Sequence, residues 1–281
     1  MLRSMYSGIA GMKGFQTKLD VVGNNIANVN TAGYKKSRTT FQDMLSQTSQ
    51  GAQGTAGIAA NDRGGINPKQ VGTGSKLGSI DTVDTQGFQQ NTGRGLDLMI
   101  DGNGMFVLQM GDERVFTRVG AFYLDNGGVD GAGDDSYLVN ADGYKVLDSE
   151  GNAIAIPKDA KSYSITKDGK VNIVKSDGTS DDPKTIALAL IPNTAGLEKI
   201  GGGLYRNTAN TGYTAGTGAN GLSTPGGGGA GDIVSSALEM SNVDLSEEFT
   251  EMITAQRGFQ ANTRIITTSD EILQELVNLK R

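Results

Sequence analysis

The 281-residue sequence contains no cysteine, no histidine and no tryptophan. Without cysteine there is no disulfide framework, no thiol nucleophile and no thiolate metal site, and the compartment stays open because secreted proteins need not use disulfides. Without histidine the commonest general base and the commonest transition-metal ligand are both missing, which sets aside a hydrolase triad and a zinc centre. Proline numbers only 5 and aromatics make up 6%. No run of about 18 apolar residues is present, so no membrane span is expected. Arg3 is not followed by the apolar core of a secretory signal peptide. A formal charge of −6 disfavours a nucleic-acid partner. Glycine, by contrast, is abundant, with 42 residues.

The strongest pattern lies at the two ends. Leu238, Leu245, Met252, Phe259, Ile266 and Leu273 fall every seventh position. A second row starts apolar at Phe249, turns polar at Gln256, Thr263 and Asp270, and ends apolar at Val277, with Leu276 beside it. Near the N-terminus Met5, Met12, Leu19 and Ile26 repeat the spacing, flanked by Leu2 and Ile9 before that row turns polar at Gln16, Gly23 and Asn30. A sustained repeat of seven keeps one seam of a helix facing a partner helix, which a surface helix following its own 3.6 period does not do. The spacing predicts one helix ending near Val29, where Asn30-Thr31-Ala32-Gly33 is a stop signal. It predicts a second from Leu238 to the C-terminus, with caps among Ser241-Asn242-Val243-Asp244, acidic Glu247 and Glu248 at its start and Lys280-Arg281 at its end. The partner of each is either the other terminus or a neighbouring copy, and an ordinary helical hairpin would show the same spacing.

Between the helices the period changes to two. Leu96–Ile100, Met105–Leu108, Val115–Val119, Ala121–Leu124, Tyr137–Val139, Tyr163–Ile165, Val171–Val174 and Ile186–Ile191 read as short strands, punctuated by Asp142-Gly143, Asp168-Gly169 and Asp177-Gly178 turns. The fold class is therefore α+β. Terminal helices pair as a coiled-coil-like domain around a middle antiparallel β domain. The expected partition is 1–33 for the N-terminal helix and 34–77 for a connecting arm, of which 46–78 is polar and nearly featureless. It continues with 78–205 for the β domain, 206–237 for a glycine-rich return linker and 238–281 for the C-terminal helix.

No stretch carries catalytic chemistry. Asp125, Asp130, Asp134 and Asp135 fail the calcium-loop template because Gly127 and Val129 stand where oxygen ligands belong, and they read as a solvated hairpin loop. Gly72–Gly78 resembles a phosphate loop in composition but lacks its spacing and its preceding strand. A glycosidase with paired carboxylates would need more aromatics to build a sugar cleft, and an adhesin on a coiled-coil stalk would be expected to carry a signal peptide or an anchor. No cofactor and no metal are expected. The richest run is Asn24-Asn25-Ile26-Ala27-Asn28-Val29-Asn30-Thr31-Ala32-Gly33-Tyr34-Lys35. So many asparagines are unfavourable in a helix unless they pair across an interface.

At this run the chain resembles the bacterial flagellar rod and hook family. Leu19–Asn28 with Thr31–Lys35 is similar to the family's N-terminal signature, Gly93–Leu98 with Gly104-Met105-Phe106 to its middle motif, and Glu239–Leu245 with Met252-Ile253 and Gln256-Arg257 to its C-terminal signature. An aromatic usually occupies the Met105 position. The residues carried over as family motif are Asn24, Asn25, Asn28, Gly33, Tyr34, Lys35, Ser241, Asn242 and Val243. The resemblance implies a structural subunit, not an enzyme, whose terminal helices line an inner tube while the β domain forms an outer shell. It further implies a place in the extracellular flagellum, at hook or basal body, reached through the flagellar export apparatus without a cleaved signal peptide. Its partners would be copies of itself in a helical polymer and the neighbouring axial proteins: rod, hook cap and hook–filament junction. Within the family the likeness points to a hook subunit of the short type found in Gram-positive bacilli, with a distal rod subunit as the alternative.

Overall fold

The structure is a computed structural model that describes residues 2–54, 65–125, 135–176, 179, 182–213 and 221–279. It has an N-terminal helix, a C-terminal helix and a central antiparallel β region. The chain divides into two compact units. The first gathers Met1–Ala27, Ser37–Asp81 and Asp244–Arg281, and the second Asn28–Lys36 and Thr82–Val243. The backbone therefore crosses from one unit to the other at 27–28, 36–37, 81–82 and 243–244.

In the first unit, helix α1 spans Leu2–Ala27 and helix α2 spans Leu245–Leu279. Helix α1 stops two residues before the expected Val29. The Asn28 carbonyl accepts the Thr31 amide at 3.1 Å and its side chain accepts the Thr31 hydroxyl, so this asparagine turns the chain instead of extending the helix. Helix α2 starts at Leu245, not Leu238. Asp244 caps it, its Oδ1 accepting the amides of Ser246 at 2.8 Å and Glu247 at 3.4 Å. Leu238 lies in a strand, Ala237–Glu239, because the backbone there pairs with Gln89–Asn91. Its place in the heptad row was thus coincidental.

The two helices run antiparallel. A Cβ added at Gly8 would stand 3.4 Å from Ile266, one at Gly11 would stand 2.8 Å from Asn262, and one at Gly258 would stand 2.6 Å from the Phe15 ring. Lys18 pairs with Glu251, and Asn25 with Glu248. The polar stretch 46–78, expected to be a linker, carries strands. Ser37–Asp43 pairs with Ser75–Thr82 and Ser46–Gln50 with Lys69–Gly72, as two-stranded ribbons. Ribbons satisfy their backbone groups without a core, so an almost wholly exposed sequence forms them with no hydrophobic alternation to betray it. Gly72–Gly78 is the link between two of these strands and the start of the second.

The second unit holds a ten-stranded antiparallel sheet. Met105–Met110 and Glu113–Thr117 form its central hairpin, flanked by Lys145–Val146, Asp135–Val139 and Ala155–Pro157 on one side and by Leu204–Arg206 and Glu198–Gly201 on the other. Leu188–Ala189 also pairs with Met105–Met110, and Leu222–Ser223 extends it. A three-stranded sheet, Ala160–Ile165, Lys170–Lys175 and Lys184–Thr185, stands beside it. The expected strand-turn-strand at 98–108 is present, but its halves are not partners. Leu98–Asp101 pairs with Asp232–Ser235. The β unit accordingly reaches Val243, and the expected return linker contains the strands Leu222–Ser223 and Asp232–Ser235 and the start of Ala237–Glu239.

Alternation along Met105–Met110 places Phe106 and Leu108 in one apolar cluster and Met105 and Val107 in another, all buried. Phe106 meets Phe122 edge to face at 5.1 Å. In the acidic loop, Asp125 and Asp135 are in antiparallel strands, while Asp130 and Asp134 lie outside the described residues, as do Asp177-Gly178 and Lys280-Arg281.

Candidate assembly surfaces and a buried clasp

The seam of the helical unit mixes small and polar residues with larger ones packed on them, Ile266 over Gly8 and Phe15 over Gly258. The buried residues of α2 are Glu248, Ala255 and Ser269. Those of α1 are Gly8, Gly14, Val22 and Asn25. The residues singled out by the heptad pattern stand around this seam. Met5, Met12, Leu19, Ile26, Met252, Phe259, Ile266 and Leu273 are half-buried. Ile9, Leu245, Phe249 and Leu276 are exposed, and the side chain of Leu2 lies outside the described residues. Ile253, Ile265, Ile272 and Val277 are exposed as well. Periodicity found the apolar rows but missed Gly8, Gly11, Ala255 and Gly258, because a search weighted to large side chains passes over small ones. Their signal was their own spacing of three.

Asn25 is buried and fixes how the chain leaves α1. Its Oδ1 accepts the Ser37 amide at 3.0 Å, its Nδ2 donates to the Ser37 carbonyl at 2.9 Å, and Nδ2 also reaches Glu248 Oε2 at 3.1 Å. One side-chain amide thus satisfies both backbone groups of Ser37, as a neighbouring strand would. Asn24 is exposed and Asn28 makes the turn already described.

The other family-motif residues meet in the β unit. Gly33 adopts φ +69°, and its amide donates to the Glu239 carbonyl at 2.8 Å. A Cβ there would stand 2.9 Å from the Val119 amide nitrogen, so only glycine fits. Lys35 is buried. Its Nζ donates to Glu239 Oε1 and to the Thr85 carbonyl, both at 2.7 Å. Glu239 Oε1 also accepts the Gly87 amide at 2.9 Å, and Oε2 accepts Arg118 Nε. Arg118 spends its remaining donors on the carbonyls of Ile100, Gly102 and Gly104. Two buried cations therefore share one buried carboxylate.

Burial by itself pushes the Glu239 carboxyl up. The Arg118 charge and hydrogen bond, the Gly87 amide and the Lys35 hydrogen bond outweigh it and leave the group below its ordinary value. Burial, with the nearby Asp84, Tyr34 and Glu239, pushes the Tyr205 phenol up to about 12. Asn242 completes the clasp. Its Oδ1 accepts the Lys36 amide at 2.8 Å, while Nδ2 donates to the Val83 carbonyl at 2.9 Å and to Thr85. Ser241 and Val243 are buried beside it, the Val243 amide donating to the Ser241 hydroxyl, and the Tyr34 ring lies 5.5 Å from Lys199 Nζ. Of this cluster, sequence reasoning named Lys35 and Asn242 but gave no role to Glu239 or Arg118.

Nothing in this geometry resembles a reaction centre. The buried charges are saturated by one another and by backbone, and among the described residues no group of three or more acidic side chains is arranged to hold a metal ion. Among those residues, no helix is long and apolar enough to cross a membrane.

Three family models match in chain order: a flagella basal body rod protein model over residues 5–35, a flagellar hook protein FlgE/F/G D1 domain model over 99–173, and a flagellar basal body rod FlgEFG protein C-terminal model over 234–279. The flagellar basal-body rod protein FlgG of Bacillus subtilis (strain 168) is 56% identical over 281 residues, covering the whole of both chains. The chain belongs to the flagellar rod and hook protein family. Other members of that family align at lower identity. The rod protein FlgG of Caulobacter vibrioides is 37% identical over 285 residues, 99% of this chain and all of its own. The hook protein FlgE of Borreliella burgdorferi is 30% identical over an alignment of 459 positions that covers both chains fully. So long an alignment over 281 residues means that a large part of that hook protein has no counterpart here. The rod alternative therefore stands better than the hook subunit first expected. Rod and hook proteins of this family are structural flagellar components, of the basal body and hook.

Proposed function

We propose that this protein is a subunit of the flagellar basal-body rod that polymerises with copies of itself through the outer faces of α1 and α2. The observation that carries the proposal is the set of half-exposed apolar side chains on α2, Phe249, Ile253, Ile272 and Leu276, beside a helix pair whose buried residues are mostly small or polar. A large apolar side chain left in water forgoes about 1.5–3 kcal/mol that burial would supply. A row of them on one helix calls for further helices. The half-buried Met5, Met12, Leu19, Ile26, Met252, Phe259, Ile266 and Leu273 would then be completed by neighbours, with methionine adapting to slightly different packings. A contact of this kind between unlike faces need not close, and it generates a helical filament.

Neighbouring axial proteins and the flagellar export apparatus are the further partners in this proposal, and the chain reaches the basal body without losing a signal peptide. N-terminal sequencing of the subunit from isolated basal bodies tests that point, since a trimmed terminus would contradict it. The rod assignment is tested by deleting the gene and imaging the basal bodies. A rod subunit leaves a truncated rod, whereas complete rods lacking only hooks would restore the hook reading. Polymerisation is tested by electron microscopy of purified protein with and without Phe249→Asp. Filaments that form equally well from both would refute the role given to the α2 face.

A further inference from the structure

The β unit is closed by segments from opposite ends of its sequence. Among the described residues the ladder partner of Leu98–Asp101 is Asp232–Ser235, with the Leu98 amide also donating to the Gly120 carbonyl, and that of Gln89–Asn91 is Ala237–Glu239. Lys35 and Glu239 are 204 residues apart, Arg118 and Glu239 121, and Lys36 and Asn242 206. The central hairpin is the opposite case. Met105–Met110 and Glu113–Thr117 are joined by a tight turn and pair over five positions. Contacts between distant residues require closing a long loop before any of them forms, so local pairing comes first.

We infer that the β unit closes in two stages, the central sheet first and segment 232–243 last, as a latch with Glu239 as its bolt. Until Glu239 arrives, Lys35 and Arg118 would have to leave water with no counter-charge, which is strongly unfavourable. The seats of both cations therefore stay open. The latch is built to arrive late and to dock sharply. Gly226, Gly228 and Gly229 ahead of it all adopt positive φ. Between its two strands sits Ser236 at φ +62°, the one described non-glycine residue with positive φ, whose carbonyl accepts the amides of Thr92 and Gly93. A chain that emerges N-end first, from a ribosome or along a narrow channel, then cannot complete this unit until residue 239 of 281 is free. The order of the residues thus delays the final closure but not the central sheet, and this holds whether the subunit belongs to rod or hook.

Pulse-labelled hydrogen exchange during refolding of the full-length protein tests this. Peptides covering 105–117 should become protected on the order of tenfold faster than those covering 86–101 and 232–243. In Glu239→Gln the latch peptides should lose protection while 105–117 keeps its wild-type rate. In Lys35→Met, which leaves Arg118 and Glu239 as a balanced pair, latch protection should persist. Simultaneous protection of both groups in the wild-type protein would overturn the inference, even if Glu239→Gln failed to fold. So would a Glu239→Gln chain whose latch closes at the normal rate.

Discussion

The two units of this molecule solve opposite problems. In the β unit Phe106, Phe116 and Phe122 are fully buried in one chain, although Phe88 stays exposed, and the Lys35, Arg118 and Glu239 charges are matched inside one clasp. In the helical unit Phe249, Ile253, Ile272 and Leu276 stay about half exposed while glycine and serine occupy the seam. The first has an aromatic and aliphatic core closed within one chain, with Phe88, Val174 and Ile200 left at its surface. The second has no comparable large-residue core of its own, and it is on this difference that the proposal of assembly through the helices rests.

The largest way to break that contrast is to open the clasp. Glu239→Gln leaves Lys35 and Arg118 buried without a counter-charge and should destabilise the β unit by about 3–5 kcal/mol, read from denaturant unfolding. Acid should act on the same group in the wild-type protein. Because the folded carboxyl titrates below its ordinary value, its contribution is complete above the unfolded pKa of about 4.3 and is lost as the pH falls through the lowered folded value. That segment of the stability–pH curve should flatten in Glu239→Gln.

Phe249→Asp should do the reverse. Monomer stability should hardly change, but polymerisation should weaken by about 1.5–3 kcal/mol per contact, raising the critical concentration roughly tenfold to a hundredfold. Phe259→Asp and Ile266→Asp should likewise block assembly and leave the β unit folded, as judged by protease resistance. A smaller effect is expected for Asn25→Ala, which removes both side-chain hydrogen bonds to the Ser37 backbone and should cost the helical unit about 1–2 kcal/mol in thermal unfolding. Smallest is Ser236→Gly, which relieves a left-handed serine and should raise β-unit stability by about 0.5–1 kcal/mol.

The same contrast explains what could be read in advance. Large residues at a fixed period announce helices even when those residues end up outside the seam, so Met5 to Ile26 and Leu245 to Leu273 located α1 and α2. The period has no start signal of its own, and it ran on through Leu238 although Asp244 sets the cap. Alternation found most central strands, whose two faces differ. It could not find Ser46–Gln50 or Lys69–Gly72, whose faces are equally polar and exposed. The motif residues Lys35 and Asn242 were visible as unusual letters, yet Glu239, at the edge of the C-terminal signature, and Arg118, outside any motif, gave no sign of their role. Their meaning is a charge balance across 204 and 121 residues that appears only when the chain is folded.

One further consequence lies in the four places where the backbone passes between the units. A subunit made of two beads on one string would hand any twist from bead to bead through a single peptide segment. Here four backbone crossings join the units, so a pull on either is divided among them. For a member of a family of structural flagellar components, that is redundancy of the kind an engineer obtains by replacing a hinge pin with a truss.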